Sequence, residues 1–184
     1  MSPEELVDQY KEMHTSSQFS TGTALIKHIP EIARLAKLLG CSSALDYGCG
    51  KAWFWNLPHW RGMLDNEITK VKLYDPAIPE YDEMPEGRFD MVICTDVLEH
   101  IHPEQTDDFL KTLFLFTRRC LFINVSTKPA KKKFKDGTNL HINLRKKDQW
   151  QKKIFDIRNW YGDCLLYTSP SPRDLSTSRM PSSA

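Results

Sequence analysis

The chain lacks any apolar run close to the ~18 residues that a membrane-crossing helix needs, and none of its 184 residues forms such a stretch. Its opening, Met1-Ser2-Pro3-Glu4-Glu5, is acidic and lacks the basic-then-apolar order of a secretory leader. The five cysteines (Cys41, Cys49, Cys94, Cys120, Cys164) contain no Cys-x-x-Cys pair. Their scatter argues against both a zinc site and a disulfide framework, and a reducing cytoplasm is the expected location. An excess of one charge is also missing, with 25 Lys and Arg against 24 Asp and Glu. Glycine is scarce, eight in all, and the Gly-x-Gly pair at 48 and 50 is followed by Ala52 and Trp53 where a third glycine would complete Gly-x-Gly-x-x-Gly. That absence speaks against a nicotinamide-dependent oxidoreductase. With 40% hydrophobic and 27% charged residues, the length suits one soluble globular domain.

What is present is organised around Ala44-Leu45-Asp46-Tyr47-Gly48-Cys49-Gly50-Lys51. An apolar lead-in runs into an acid and then a Gly-x-Gly turn, the pattern of a buried strand, a tight turn and a helix start. Glycine reaches positive φ without steric cost and has no Cβ to block a ligand approaching the backbone. Alone the pattern is also that of any strand ending in a glycine-rich turn. Two later segments sharpen it. Val71 to Pro76 is a short apolar strand ending in Asp75, 25 residues beyond Gly50. An acid about 20 residues past such a turn is placed to accept the hydroxyls of a ribose. Then Phe89 to His100 reads as a third strand over Met91–Thr95, ending in the polar group Asp96, Glu99 and His100.

Around these lie helical patterns. Ser2, Pro3 and Glu5 form a capping box before Leu6, Tyr10 and Met13. A second helix passes Pro30 and ends at Leu39, with Gly40 as its C-terminal cap. Ser16 to Thr23 reads as a loop, in which Phe19 is an anchor. The aromatic cluster Trp53, Phe54, Trp55, Leu57, Trp60 is expected in the core rather than as a stacking platform. Pro103 opens a helix to about Arg118, Cys120 to Val125 reads as a central parallel strand, and a helix is expected over Lys147 to Phe155. Strands alternating with helices imply a parallel sheet covered on both faces, with its ligand beyond the carboxyl ends of the strands. His14, His28, His59 and His102 are expected at the surface or in packing.

The three segments, in this order, resemble the class I S-adenosylmethionine (SAM)-dependent methyltransferases, in particular the branch with Asp-Val-Leu-Glu-His after the fourth strand. The resemblance covers roughly residues 39 to 150. It implies an α/β, Rossmann-like, doubly wound and mostly parallel sheet with helices on both faces, in one domain over 1–166 (N-terminal helices 1–40, core 41–150). The family usually places a helix and a strand between the ribose acid and the third segment, and the 13 residues from Pro76 to Arg88 leave no room for both. That edge is therefore expected to be reduced. The usual C-terminal strands are expected to be missing, since only Cys164 to Tyr167 reads as one. Residues 167–184 hold 11 Ser, Thr and Pro among 18 and look like translated sequencing-adapter read-through, a disordered and non-native tail.

The resemblance further implies an enzyme that moves a methyl group from SAM to a small-molecule acceptor. Asp46, Gly48 and Gly50 would hold the amino-acid part of SAM and Asp75 its ribose, with Tyr47, Pro76, Thr95 and Asp96 completing the cofactor site. His100, Asp96 and His141 are the candidate catalytic residues. An ordinary histidine titrates near 6.5 and can accept a hydroxyl proton at neutral pH. Asp96, Glu99, His100 and the downstream His141 also resemble the magnesium-binding set of small-RNA 3′-end 2′-O-methyltransferases and ubiquinone-pathway O-methyltransferases, with Asp96 where those have Glu. Mg²⁺ or Mn²⁺ is then a further expected cofactor. The other reading is that Glu99 and His100 cap a helix and line the pocket without metal. From Lys128 to Arg158 there are 11 Lys and Arg against 3 Asp and Glu. This is either a solvated face or a collar for an anionic acceptor or RNA. A SAM-cleaving enzyme, and a nucleic-acid-binding module resting on Lys131, Lys132, Lys133 and Lys135, are the remaining alternatives.

Overall fold

A computed structural model describes residues 2–15, 24–161 and 165–170. Phe19, Cys164 and the stretch 171–184 lie outside the described residues. Five strands form one sheet: β1 (Ser43–Tyr47), β2 (Lys70–Tyr74), β3 (Phe89–Thr95), β4 (Thr117–Val125) and β5 (Leu165–Pro170), in the order β2-β1-β3-β4-β5. Every pairing is parallel. Such a sheet must be covered on both faces, and the strand residues alternate accordingly. Met91, Ile93, Cys120 and Phe122 pack with α2 (Ile29–Leu39) through Ile29, Ile32, Leu35 and Ala36. Val92, Cys94, Leu121 and Ile123 face the other way, onto α4 (Thr106–Phe116) and α5 (Lys147–Arg158), meeting Leu110, Leu113, Phe114, Trp150, Ile154 and Ile157. The fold is thus α/β and doubly wound, as expected, and the span 76–88 carries no strand. Among the described residues no helix is long and apolar enough to cross a membrane.

Local chemistry sets the ends of the helices. In α1 (Pro3–Thr15) the Glu5 N–H donates to Ser2 Oγ at 3.2 Å and the Ser2 N–H to Glu5 Oε2 at 2.7 Å, the expected capping box. Gly40 closes α2 in the left-handed conformation (φ 61°), its N–H turned to Ala36 and Lys37 carbonyls. Phe54 and Trp55 are buried, so the aromatic cluster belongs to the core, with Trp53 left exposed. Only one turn of helix, α3 (Trp60–Met63), follows it.

Three boundaries differ from expectation. The helix expected from Pro103 opens with a 3-10 turn (Pro103–Gln105) and ends at Phe116. Thr117 already pairs with Phe89, while its hydroxyl donates to Leu113 O at 2.7 Å, so strand takes over from helix there. The helix expected to end near Phe155 runs to Arg158, because Ile154 and Ile157 both reach the core. The domain end expected at 166 moves outward. β5 continues to Pro170 beside β4, and Tyr167 stacks on Phe122 with ring centroids 4.8 Å apart. An unpaired β4 edge would leave a row of open N–H and C=O groups, and β5 covers it.

Candidate functional site

β1 is flanked by β2 and β3, so the connections leaving β1 and β3 part in opposite directions at their carboxyl ends. The crevice there is where doubly wound sheets hold ligands. The turn after β1 is fixed from two sides. The Gly48 and Cys49 N–H groups both donate to Tyr74 O, at 2.7 and 3.1 Å, and the Gly50 N–H donates to Asp75 Oδ2 at 2.8 Å. Gly48 and Gly50 have φ 88° and 55°. A Cβ on Gly48 would run into the Val97 side chain. Glycine is needed there for the close approach of the turn after β3, beyond any need to admit a ligand. Asp75 Oδ1 accepts the Ala77 N–H at 2.9 Å, so both carboxylate oxygens are held by backbone at the mouth of β2. Asp46 is buried, takes the Trp55 indole N–H at 2.7 Å, and is pushed by burial up to about 7.

The turn after β3 gathers several titratable side chains. Asp96 sits at φ 54°, rare for a residue with a side chain, and donates its N–H to Asn124 O at 3.0 Å. Such backbone costs of order 1–3 kcal/mol and persists where neighbours over-determine it. Its carboxylate points at Lys27 Nζ, 3.4 Å away. Glu99 lies in the 3-10 turn Leu98–His100 and is 0% exposed. Its Oε1 accepts the Ser126 N–H at 3.0 Å, and its Oε2 has no hydrogen-bond partner among the described residues. Burial, then Asp96, pushes its carboxyl up to about 8. No side chain caps this turn, while Glu99 and His100 both line the smaller of the two cavities described below, the other half of the metal-free alternative.

His100 Nδ1 lies 3.0 Å from Leu140 O and 2.6 Å from Tyr10 Oη. A carbonyl can only accept, so the Nδ1 carries the hydrogen and Nε2 the lone pair. His141 repeats the arrangement, with Nδ1 against Lys128 O. The two rings meet edge to face at 4.8 Å. Burial, then His141, lowers His100 to about 4, so it is neutral at pH 7. A histidine that buries its Nδ1 hydrogen in a backbone carbonyl is the usual arrangement of a metal-binding imidazole. Glu99, His100 and His141 each offer one ligand atom within 4.8 Å of the others. Asp96 is not in that group and faces Lys27 instead, so the four expected together become three.

Two cavities meet at this crevice. The larger, about 490 Å³, is lined by Tyr47, Gly48, Gly50, Asp75, Pro76, Asp96 and His100, with Leu6, Val7, Tyr10 and His14 of α1 as a further wall. The smaller, about 420 Å³, is lined by Asp46, Gly48, Gly50, Thr95, Asp96, Glu99, His100 and His141, with Lys27 and Ser126. Every residue predicted for the site therefore borders one cavity or both. Sequence reasoning missed Tyr10, Lys27, Ser126 and Asn143. Asn143 is buried and donates to Leu98 O and Thr106 Oγ1 at 3.2 and 2.9 Å, while its N–H donates to Glu99 O at 3.0 Å. It pins the Glu99 turn to the segment that carries His141, and nothing in its sequence neighbourhood marks it. His28 packs on Phe122 and His59 is exposed, as expected, whereas His14 and His102 line the larger cavity.

No family model matches the chain, and no curated protein is significantly similar to it. The strand order is shared by doubly wound folds that bind other ligands, so function is argued from the site.

Proposed function

We propose that the chain is a cytoplasmic SAM-dependent methyltransferase acting on a small, anionic acceptor. One observation carries the reading. Asp75 is locked by backbone N–H groups at the end of β2, beside the Gly48–Gly50 turn and on one cavity at the crevice. This suits a nucleoside, whose vicinal hydroxyls a fixed carboxylate accepts. Gly48, Gly50 and Asp46 would hold the amino-acid end, and Tyr47 and Pro76 would pack beside the nucleoside. SAM supplies an already activated methyl group, so the chain's main task is alignment, worth about 7–11 kcal/mol. His100 is neutral at physiological pH, and its Nε2 is the atom that can accept a proton from a hydroxyl acceptor. With that nitrogen titrating at about 4, a pH–rate limb from this base falls near 4 rather than near 6–7. The test is calorimetry with SAM, S-adenosylhomocysteine and NAD, followed by label transfer from SAM to extract fractions. Binding of the first two and not the third is expected. Absence of SAM binding overturns the proposal.

A second reading is favoured by the unpartnered Glu99 Oε2 beside two imidazoles with their Nδ1 hydrogens committed. In it Glu99, His100 and His141 would hold a divalent cation, which would supply Lewis-acid polarisation of an acceptor hydroxyl, and the basic segment 128–158 would serve as collar for an RNA end. Two imidazoles and one carboxylate suit Mn²⁺ better than Mg²⁺, which prefers oxygen ligands.

A further inference from the structure

His100 is held by a helix about ninety residues before it in the chain. Tyr10 Oη lies 2.6 Å from His100 Nδ1 and donates to Leu140 O at 3.0 Å. Nδ1 is itself 3.0 Å from that carbonyl. The triangle has one arrangement without lone pairs facing each other. Tyr10 gives its hydrogen to Leu140 O, and the His100 Nδ1–H is shared between that carbonyl and Tyr10 Oη. The alternative, with Tyr10 donating to a bare Nδ1, sets the nitrogen lone pair against the carbonyl oxygen. The rings of Tyr10 and His100 also meet edge to face at 5.4 Å, and Tyr10 meets Phe134 in the same way at 5.4 Å. Leu6 of the same helix packs with Phe134 and Leu140. Helix α1 is thus seated on the segment that supplies Leu140, and its other residues wall the larger cavity.

We propose that Tyr10 is a positioning residue through which α1 fixes the ring plane and tautomer of His100. Seating of α1 beside the cofactor cavity and alignment of His100 are then a single event. This deepens the methyltransferase reading and rests on it for the consequence in turnover. The contact itself stands apart from it. Tyr10 touches no reacting atom. Its effect passes through Nδ1 to the rest of the His100 ring, which lines the smaller cavity with Glu99 and His141 alongside.

The test uses the full chain and Tyr10→Phe, which keeps the ring contacts with Phe134 and His100 and removes only the hydroxyl. In ¹⁵N-labelled protein, with the His100 signals assigned through His100→Asn, Nδ1 should read as protonated and Nε2 as bare. Tyr10→Phe should move the Nδ1 signal. This measurement needs neither cofactor nor acceptor, so it decides the contact even if SAM fails to bind. In turnover, kcat should fall about 3- to 10-fold, the loss of one well-formed hydrogen bond, while the Kd for SAM stays within about twofold. A His100 spectrum identical in wild type and variant overturns the proposal. So does an unchanged kcat, or a loss confined to SAM affinity, since either would make Tyr10 part of the cavity wall alone. Absence of SAM binding in the wild type, with the His100 shift observed, overturns the methyltransferase reading and leaves the positioning contact standing.

Discussion

Gly48→Ala probes the turn that builds the crevice, and its cost can be worked out from two separate terms. At φ 88° an alanine pays about 1–2 kcal/mol that glycine does not. Its Cβ also overlaps the Val97 side chain, whose Cγ1 and Cβ would lie at 3.1 and 3.3 Å behind the closest methyl. Overpacking of this kind adds about 1–3 kcal/mol. The sum is about 2–5 kcal/mol, and in a chain of this size each kcal/mol is about 2–4 °C, so a fall of about 4–20 °C in melting temperature is expected. Val97→Ala removes the obstructing methyls. In the double variant most of the steric term should disappear, with only the Val97 Cβ at 3.3 Å left, and the φ term remain, giving a coupling of about 1–3 kcal/mol. Thermal unfolding followed by circular dichroism on the four proteins of the cycle checks this. A single variant melting within a degree of wild type, or strictly additive changes, would refute the account of why glycine stands at 48.

Asp75→Ala should weaken SAM binding at least about tenfold, from loss of charge-assisted bonds worth about 1.5–3 kcal/mol; equal affinity by calorimetry sinks the ribose assignment. On the metal reading, EDTA should abolish turnover, Mn²⁺ should restore it better than Mg²⁺, and His141→Ala should be about as damaging as His100→Ala; EDTA-resistant turnover returns His100 to a metal-free general base. Truncation after Leu166 removes the Tyr167–Phe122 stack and most of β5's pairing, and should lower the melting temperature by several degrees; an unchanged value would show that β5 adds no stability. Glu99 ionises near 4.5 when unfolded and at about 8 when folded, so stability should fall as pH rises from about 4.5 to about 8 and level off above. Glu99→Gln should flatten that decline in denaturant titrations at several pH values, and a decline persisting in the variant would refute it.

The parts of the site that could be read in the sequence are those whose geometry is local. The capping box at Ser2 and Glu5, the Gly40 cap, the turn at Gly48 and Gly50, and Asp75 at the end of its strand each depend on a few neighbouring residues. The continuous apolar run Cys120 to Val125 reports a strand covered on both faces for the same reason. What was not legible depends on contacts between distant positions. Asp96 looks equivalent to Glu99 in the sequence, yet Lys27, 69 residues earlier, draws its carboxylate away from the histidines. Tyr10 reads as one apolar position of an amphipathic helix, and only packing against Phe134 brings its hydroxyl to His100. Asn143 carries no signature because its partners, Leu98 and Thr106, belong to another connection. Likewise Leu165 to Tyr167 reads as a strand, but Thr168 to Pro170 have the composition of a tail, and the edge of β4 supplies the pairing that composition cannot predict.

The Glu99 carboxyl is the feature that packing explains least. A fully buried carboxyl with one oxygen unpartnered costs about 1–3 kcal/mol or more, and an apolar side chain there would cost the fold nothing of the kind. Asn143 and Ser126 are both spent on holding this turn, and Asp96 next to it is kept in a strained backbone conformation. They fix a buried carboxyl that burial pushes up to about 8 beside two imidazoles whose Nδ1 atoms lie against backbone carbonyls, all three lining one small cavity. A ligand that meets Oε2 would recover the cost of leaving it open, and a cation would do so by displacing the proton that burial keeps on Glu99. On the proposed function, the nucleoside half of the crevice is framed by the Gly48–Gly50 turn and the backbone-held Asp75, a frame that could serve many nucleosides. The half around Glu99 is made of side chains gathered from four distant segments, so selectivity for the acceptor should reside there.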